Sequence, residues 1–347
     1  MTKIPAYAAL SARAPLAPHT IERRETGPHD VQIDILFCGI CHSDIHQARN
    51  EWGGSLFPMV PGHEIVGTVV NVGAHVTKWK VGDSVGVGCF IDSCRECEAC
   101  QEGEEQFCEA GMNATYNSYE RDGKTPTYGG YSTNITVNED YVLRIPAGMP
   151  LERVAPLLCA GITTYSPLRQ YGIKAGDQVA ILGLGGLGHV GVKIAKAMGA
   201  KVTVLSHSAS KREAALALGA DDFIDTSAED AFKTNAKRFD FILDTVSAQH
   251  DYNAYLGLLK RDRNMVLVGI PDPIPLSAAP LVMQRRHLSG SLIGGIRETQ
   301  EMLDFCAEHG VVSDVEVINI QQVNEAYERV LKSDVRYRFV IDLASLK

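Results

Sequence analysis

The sequence predicts an α/β protein in two parts, a β-rich part followed by a parallel sheet covered by helices on both faces. Three observations predict it. Glycine and proline punctuate the first 150 or so residues, where no long helical period occurs. From Pro156 to about Ile296, short apolar runs alternate with segments of helical period. A glycine-rich run, Gly183 to Gly188, stands between one such apolar run and the next helical segment.

The elements follow in order. Val31-Gln32-Ile33-Asp34-Ile35 alternates apolar and polar residues, the period of a half-buried strand. Ile65 to Gly73 is a second strand bounded by glycine, and Val81-Gly82-Asp83-Ser84-Val85 is a turn entering a third. In the second part, Gln178 to Leu182 is a buried strand, and Leu187, Val190, Ile194 and Met198 follow at helical spacing. Lys201 to Leu205 is the next strand and Arg212 to Leu218 the next helix. Phe239 to Leu243 and Met265 to Val268 are further strands. Helical crossovers between strands make them parallel. A helix over Thr299–Glu308 and a strand over Arg338–Ile341 close the chain. There are no repeats and no low-complexity tract.

Composition narrows the function. With 347 residues the chain has room for two domains. A hydrophobic fraction of 45% with 22% charged residues excludes a disordered chain. The 33 basic and 42 acidic residues give a net charge of −9 with no Lys/Arg run, so neither nucleic acid nor an anionic membrane is an expected partner. No apolar stretch reaches the roughly 20 residues that cross a bilayer. The first residues, Met1 to Ala6, lack the apolar core of a secretory signal. A cytoplasmic protein is expected.

Gly183-Leu184-Gly185-Gly186-Leu187-Gly188 has the form G-x-G-x-x-G. Alone such a run is common in loops. Here a strand enters, a helix leaves and a second strand follows, the unit that cradles a dinucleotide. Gly183 permits the tight turn, Gly185 lets the backbone approach a pyrophosphate, and Gly188 lets helix and strand pack closely. The diphosphate then meets unpaired N–H groups at the helix N-terminus. The second strand ends in Leu205-Ser206-His207-Ser208, without the acidic residue that binds the ribose hydroxyls of NAD. Ser206, Ser208, Ser210, Lys211 and Arg212 offer hydroxyls and positive charge instead, which suits a 2′-phosphate; a solvated loop is the alternative.

Cys94, Cys97, Cys100 and Cys108 lie within one short segment. In a reducing compartment clustered cysteines are more often metal ligands than disulfides, and four thiolates at these gaps suit a closed tetrahedral zinc site. Disulfides and an iron–sulfur cluster are the alternatives. Cys41, the segment Gly62-His63-Glu64 and Cys159 are far apart in the chain, and any one alone is more often packed core than a ligand. Two Cys, one His and an open position make a catalytic zinc arrangement, but spacing by itself leaves both readings standing.

These residues together resemble the medium-chain, zinc-dependent alcohol dehydrogenases. The motif Gly62-His63-Glu64-x-x-Gly67-x5-Gly73-x-x-Val76 carries the resemblance, which runs over essentially the whole chain. Pro156-Leu157-Leu158-Cys159-Ala160-Gly161-Ile162-Thr163, the glycine turn and Gly290-Ser291-Leu292-Ile293-Gly294 are similar to the cinnamyl alcohol dehydrogenase branch with its bacterial aldehyde reductases.

The resemblance implies a GroES-like catalytic domain, residues 1–153 and 298–347, and a Rossmann cofactor domain, residues 154–297. It implies two zinc ions per chain. One would be catalytic, on Cys41, His63 and Cys159, with Glu64 able to enter its shell. The other would be structural, on the four clustered cysteines. Ser43 would meet the nicotinamide ribose and begin a proton relay to His46. Gly183, Leu184, Gly185, Gly186, Leu187 and Gly188 would hold NADP(H), with Thr163, Thr245, Gly269, Ser291, Leu292 and Ile293 lining it. Ser206, His207, Ser208, Ser210 and Lys211 would surround the adenosine phosphate. The implied reaction is reversible hydride transfer between NADP(H) and primary alcohols or aldehydes, in a homodimer. Plant members of the branch carry a Trp just before a Tyr-Asn pair. The segment here is Asn113-Ala114-Thr115-Tyr116-Asn117, so a broad aldehyde range is expected rather than a lignin-precursor specialist. An NAD-dependent polyol or formaldehyde dehydrogenase would need the acidic ribose-binding residue that is missing.

Overall fold

A computed structural model describes residues 2–270, 273 and 275–346. The chain divides into two compact units, Met1–Cys159 with Gly294–Ala307 and Val312–Lys347, and Ala160–Ile293 with Glu308–Val311.

Among its described residues the first unit carries a seven-stranded sheet. Its spatial order is Val315–Asn319, Arg338–Asp342, Asp30–Gly39, Ile65–Val72, Ser84–Val87 and Leu143–Arg144, with Asn134–Asn138 also paired to Asp30–Gly39. Asp30–Gly39 is the hub. It continues four residues past the end expected at Ile35, because a register shift between Ile35 and Phe37 lets pairing with Ile65–Val72 go on after the alternation breaks. Val31, Ile33 and Ile35 are fully buried. Arg338–Asp342 runs antiparallel beside it, Val340 opposite Gly39 and Ile341 opposite Cys38, so the end of the chain completes the sheet. A hairpin of Thr2–Ala8 and Ala17–Arg23 was not foreseen, because Pro5 and Pro18 mask its pattern.

The second unit is built on six parallel strands in the order Asp222–Asp225, Lys201–Ser206, Gln178–Leu182, Phe239–Asp244, Leu259–Leu267, His287–Gly290. Counted along the chain this is the order 3-2-1-4-5-6 of a doubly wound dinucleotide-binding sheet. Leu182 stands opposite both Leu205 and Asp244, and Leu267 opposite Gly290, so the carboxyl ends of these strands share one edge. Phe239, Tyr252, Leu256, Leu259 and Met265 form much of the core on one face. Asp222–Asp225 went unseen in the sequence because an edge strand this short carries little periodicity, and the last strand, expected from the resemblance near Gly290 to Ile293, is His287–Gly290.

The resemblance implies domains of 1–153 with 298–347 and of 154–297; in the structure residues 154–159 and 294–297 belong to the first compact unit, and Glu308–Val311 belongs to the second. Ala155–Leu158 packs on Asp30–Gly39, Ile65–Val72 and Ser84–Val87, and Leu158 lies over Gly86, where a Cβ would stand 3.0 Å from its Cδ1. Among the described residues no helix is long and apolar enough to cross a membrane.

Candidate active site

Cys41 ends the run out of Asp30–Gly39 and caps the helix His42–Ala48. Its position is set by Asp44, whose Oδ2 accepts the Cys41 amide at 2.8 Å and the Tyr131 hydroxyl at 3.2 Å. The other Asp44 oxygen accepts the Gly62 amide at 3.0 Å. One fully buried carboxylate therefore ties the loop that carries Cys41 to the loop that carries His63. Gly62 has φ +104, and a Cβ there would meet Cys38 and Tyr131 at 2.7 and 2.8 Å, so glycine is required at this turn.

His63 is buried and its ring stacks on Tyr116 at 5.6 Å, while its Nε2 has no hydrogen-bond partner. Glu64 is fully buried. Its Oε1 accepts from the Arg338 guanidinium, and its Oε2 is without a partner. Burial pushes the Glu64 carboxyl up to about 8, against the opposing pull of Arg338. Burial works against the charge on Arg338 too, but Glu64, Cys41 and Cys159 outweigh it and hold the guanidinium ionised.

Cys159 reaches the same place from the end of Ala155–Leu158. The Cys41 and Cys159 sulfurs are 3.9 Å apart. Hydrogen bonding with Cys159 drives the Cys41 thiol well below its usual range, despite desolvation, and the same contact pushes Cys159 up. One donor atom each from Cys41, His63, Glu64 and Cys159 lies within 4.8 Å of the others. Two buried sulfurs, an unpartnered imidazole nitrogen and an unpartnered carboxylate oxygen form a set that fits zinc, because a dication satisfies groups that no protein donor reaches.

Ser43 and His46 stand one turn apart on the helix His42–Ala48. The Ser43 hydroxyl is 3.6 Å from the Cys41 sulfur. His46 is further out: its Nδ1 is 2.5 Å from Glu51 Oε2 and its ring stacks on Trp52 at 4.8 Å.

The sulfurs of Cys94, Cys97, Cys100 and Cys108 also lie within 4.8 Å of one another. Backbone amides point at them: Cys94 N to Cys108 Sγ at 3.3 Å, Cys97 N to Cys94 Sγ at 3.4 Å and Glu109 N to Cys97 Sγ at 3.5 Å. The Cys97 amide helps hold the Cys94 thiol down to about 6. Amides donated to sulfur stabilise thiolates, so this second set fits a closed zinc site.

In the second unit the glycine turn takes the form its residues require. Gly183 has φ +91, a Cβ on Gly188 would stand 2.1 Å from Gly183 O, and a Cβ on Gly185 would meet nothing within 4 Å. The helix Gly188–Ala197 starts directly behind Leu184, Gly186 and Leu187. Thr245 donates through its hydroxyl to Leu182 O at 2.8 Å, beside the turn. Ser206 is buried, its hydroxyl accepting the Ser208 amide at 3.2 Å, and Ser208 and Ser210 share a hydrogen bond of 3.0 Å. Lys211 reaches back to Leu184 O at 3.2 Å and His207 is exposed. Arg212 turns away and covers the Phe223 ring. Gly269 follows Leu259–Leu267, and Ser291 N bonds to Leu267 O at 3.0 Å, ahead of Leu292 and Ile293. Thr163 lies on Ala160–Gln170, which packs on Gly188–Ala197.

Two family models match the chain, "Alcohol dehydrogenase GroES-like domain" over residues 27–147 and "Zinc-binding dehydrogenase" over residues 186–308. The chain belongs to the zinc-binding alcohol dehydrogenase family. NADP-dependent alcohol dehydrogenase C 1 of Mycolicibacterium smegmatis is 61% identical over 100% of both chains. The aldehyde reductase YahK of Escherichia coli is 55% identical over 99% of each. The structure of a cinnamyl alcohol dehydrogenase from Sorghum bicolor superposes with a TM-score of 0.97 at 46% identity, covering 100% of this chain and 99% of that one.

In this alcohol dehydrogenase the sequence reading missed Asp44, Glu51 and Arg338. Asp44 had a signal, a carboxylate three residues after the residue that caps a helix. Arg338 had one too, a lone charge in the apolar run Arg338-Phe339-Val340-Ile341, since a buried charge needs a counter-charge. Nothing in the sequence joins Glu51 to His46.

Proposed function

We propose that this chain is a zinc-dependent, NADP(H)-linked alcohol dehydrogenase acting mainly as a reductase on a broad range of aldehydes, aromatic ones included. The observation that carries it is the convergence of Cys41, His63, Glu64 and Cys159 on one point within the first unit. The high identity to an NADP-dependent alcohol dehydrogenase and to an aldehyde reductase supports the reaction class.

Cys41, His63 and Cys159 would hold the catalytic zinc, with Glu64 able to approach it. When bound, zinc supplies polarisation of the carbonyl oxygen or acidification of the alcohol, and the nicotinamide supplies or accepts the hydride. The chain's own groups orient and move the proton. Ser43, beside Cys41, would exchange it with the alcohol oxygen, and His46 with Glu51 would pass it to solvent. Arg338 holds Glu64 through its Oε1, and Asp44 keeps the Cys41 and His63 loops in register. The four clustered cysteines would hold a structural zinc, making two ions per chain.

The Gly183–Gly188 turn, Thr163, Thr245, Gly269 and the Ser291–Ile293 backbone would cradle NADP(H), and Ser206 to Lys211 would take its 2′-phosphate. A homodimer and a cytoplasmic location complete the reading. Among the described residues His287–Gly290 ends its sheet with one side unpaired, and Val282 and Met283 are each 75% exposed. Pairing that edge with its twin would satisfy its open side. Sedimentation equilibrium at micromolar concentration showing only monomer would remove the dimer.

The test of function is NADPH consumption with a panel of aliphatic and aromatic aldehydes, run beside metal analysis. Turnover with several aldehydes and loss of turnover on chelation are expected. No turnover with any aldehyde, in protein carrying its metal, overturns the proposal.

A further inference from the structure

The loop after Phe239–Asp244 touches the glycine turn on one side and Gly269 on the other. A Cβ on Gly183 would stand 2.7 Å from Val246 Cγ2 and 3.0 Å from Thr245 Oγ1, and one on Gly269 would stand 2.6 Å from Ser247 Oγ. The start of the loop is fixed by Thr245 on Leu182 O and by the Val246 amide on Asp244 Oδ1 at 3.0 Å. Its far end is fixed by His250. The ring Nε2 is 3.0 Å from Asp244 Oδ2, and Nδ1 is 2.9 Å from the Ala248 carbonyl.

Both ring nitrogens thus face acceptors. A carbonyl oxygen cannot donate, so Nδ1 must carry a proton to bond Ala248. The contact to Asp244 then needs a second proton, on Nε2 or on the carboxyl. Whichever atom holds it, the pair carries one proton more than a carboxylate beside a neutral imidazole. Losing that proton leaves two lone pairs facing each other in a place where Asp244 is 1% exposed.

We infer that His250, held as an imidazolium between Asp244 and Ala248, is a positioning residue for the nucleotide-binding loop, so that NADPH affinity falls as pH rises. This rests on the reading of the second unit as the NADP(H) site. The groups around the ring favour its charge. Asp244 lies on one side, and Asp251 caps the following helix, Tyr252–Leu258. The Tyr252 ring stacks on His250 at 4.1 Å, and the Tyr255 ring meets it edge-on at 5.3 Å. Desolvation opposes the charge, but Asp244 outweighs it and raises the pKa above 6.5.

The sign is that of a group protonated in the competent state: binding is strong while His250 is charged and weakens as pH climbs through its pKa. Loss of one charge-assisted hydrogen bond sets the scale at about tenfold in NADPH Kd. The experiment titrates NADPH against the whole protein by its fluorescence, from mildly acid to alkaline pH, with the native chain, His250→Gln and His250→Arg. Native protein should show the rise. His250→Gln should bind weakly without the pH step, the loss falling in KM for NADPH more than in kcat. His250→Arg should keep tighter binding into the alkaline range. Nitrogen NMR of the labelled histidine in the intact native protein should show both ring nitrogens protonated at neutral pH, whether or not the variants fold. A neutral His250 ring, or a pH step that survives in His250→Gln, overturns the inference. Native protein that binds NADPH with no pH step also overturns it while sparing the functional reading; no NADPH binding at any pH defeats both.

Discussion

Arg338 and Glu64 are hydrogen-bonded inside the first unit although 274 positions separate them in the chain. Both are nearly inaccessible, at 4% and 0% side-chain exposure. Glu64 sits beside His63, so the last strand of the sheet reaches the candidate metal site through this one pair. A buried charge without its partner costs several kcal/mol.

Arg338→Met should therefore lower metal affinity or turnover by about tenfold to a hundredfold, the range seen when residues supporting metal ligands are removed. Glu64→Gln with Arg338→Met should cost less than the two single changes added together, because the pair acts as one unit. Metal content after dialysis, with kcat for all four proteins, measures the coupling. Additive effects would separate the pair.

Two glycines predict opposite outcomes. A Cβ on Gly39 would fall 1.9 Å from Glu64 Oε2, between paired strands. Gly39→Ala should cost about 1–3 kcal/mol of stability, lower the melting temperature and displace Glu64. Gly185 has open space around its absent Cβ. Gly185→Ala should leave the melting temperature within a degree or so and raise KM for NADPH, since the added methyl occupies the approach of the pyrophosphate. Equal melting losses in the two variants would contradict this.

The two cysteine sets should fail differently. Cys159→Ala is expected to abolish turnover in a protein that still folds and keeps one zinc. Cys97→Ala is expected to reduce soluble yield and melting temperature first, because a closed zinc site contributes folding free energy directly. Elemental analysis of active native protein should return two zinc ions per chain, and one or none would sink the assignment.

Cofactor choice should follow Ser206. Its hydroxyl is buried and accepts the Ser208 amide, while Lys211 lies against Leu184 of the glycine turn. An acidic side chain at Ser206 would repel a 2′-phosphate and accept from bare ribose hydroxyls. Two charge-assisted hydrogen bonds amount to about a hundredfold or more. The native chain should favour NADPH by that order in kcat/KM, and Ser206→Asp should erode or invert the preference. Equal kcat/KM for the two nucleotides in the native chain would show that this loop does not read the phosphate.

The strands at 178–182, 201–205, 239–243 and 265–268, the glycine turn and the four-cysteine cluster were legible because each depends on residues adjacent in the chain. A period of two or 3.6, a turn that only glycine can make, and thiols at short gaps are local properties. The motif at Gly62 to Val76 pointed to His63 and Glu64 only through its resemblance to the family. Cys159 too could be joined to them only by resemblance, since nothing in a sequence separation of 118 says that its sulfur comes within 3.9 Å of Cys41.

By itself the sequence determined the class of each unit, the place along the chain of four of the six strands in the second and the chemistry of the donor groups. Tertiary structure alone decided that Arg338 faces Glu64, that Asp44 ties two loops, that Glu51 meets His46, and that His250 bonds back to Asp244. The physical reason is burial. Local pattern states which side chains want water and which do not. Which buried charge answers which depends on strand pairing that brings distant residues together, and only the folded chain sets that.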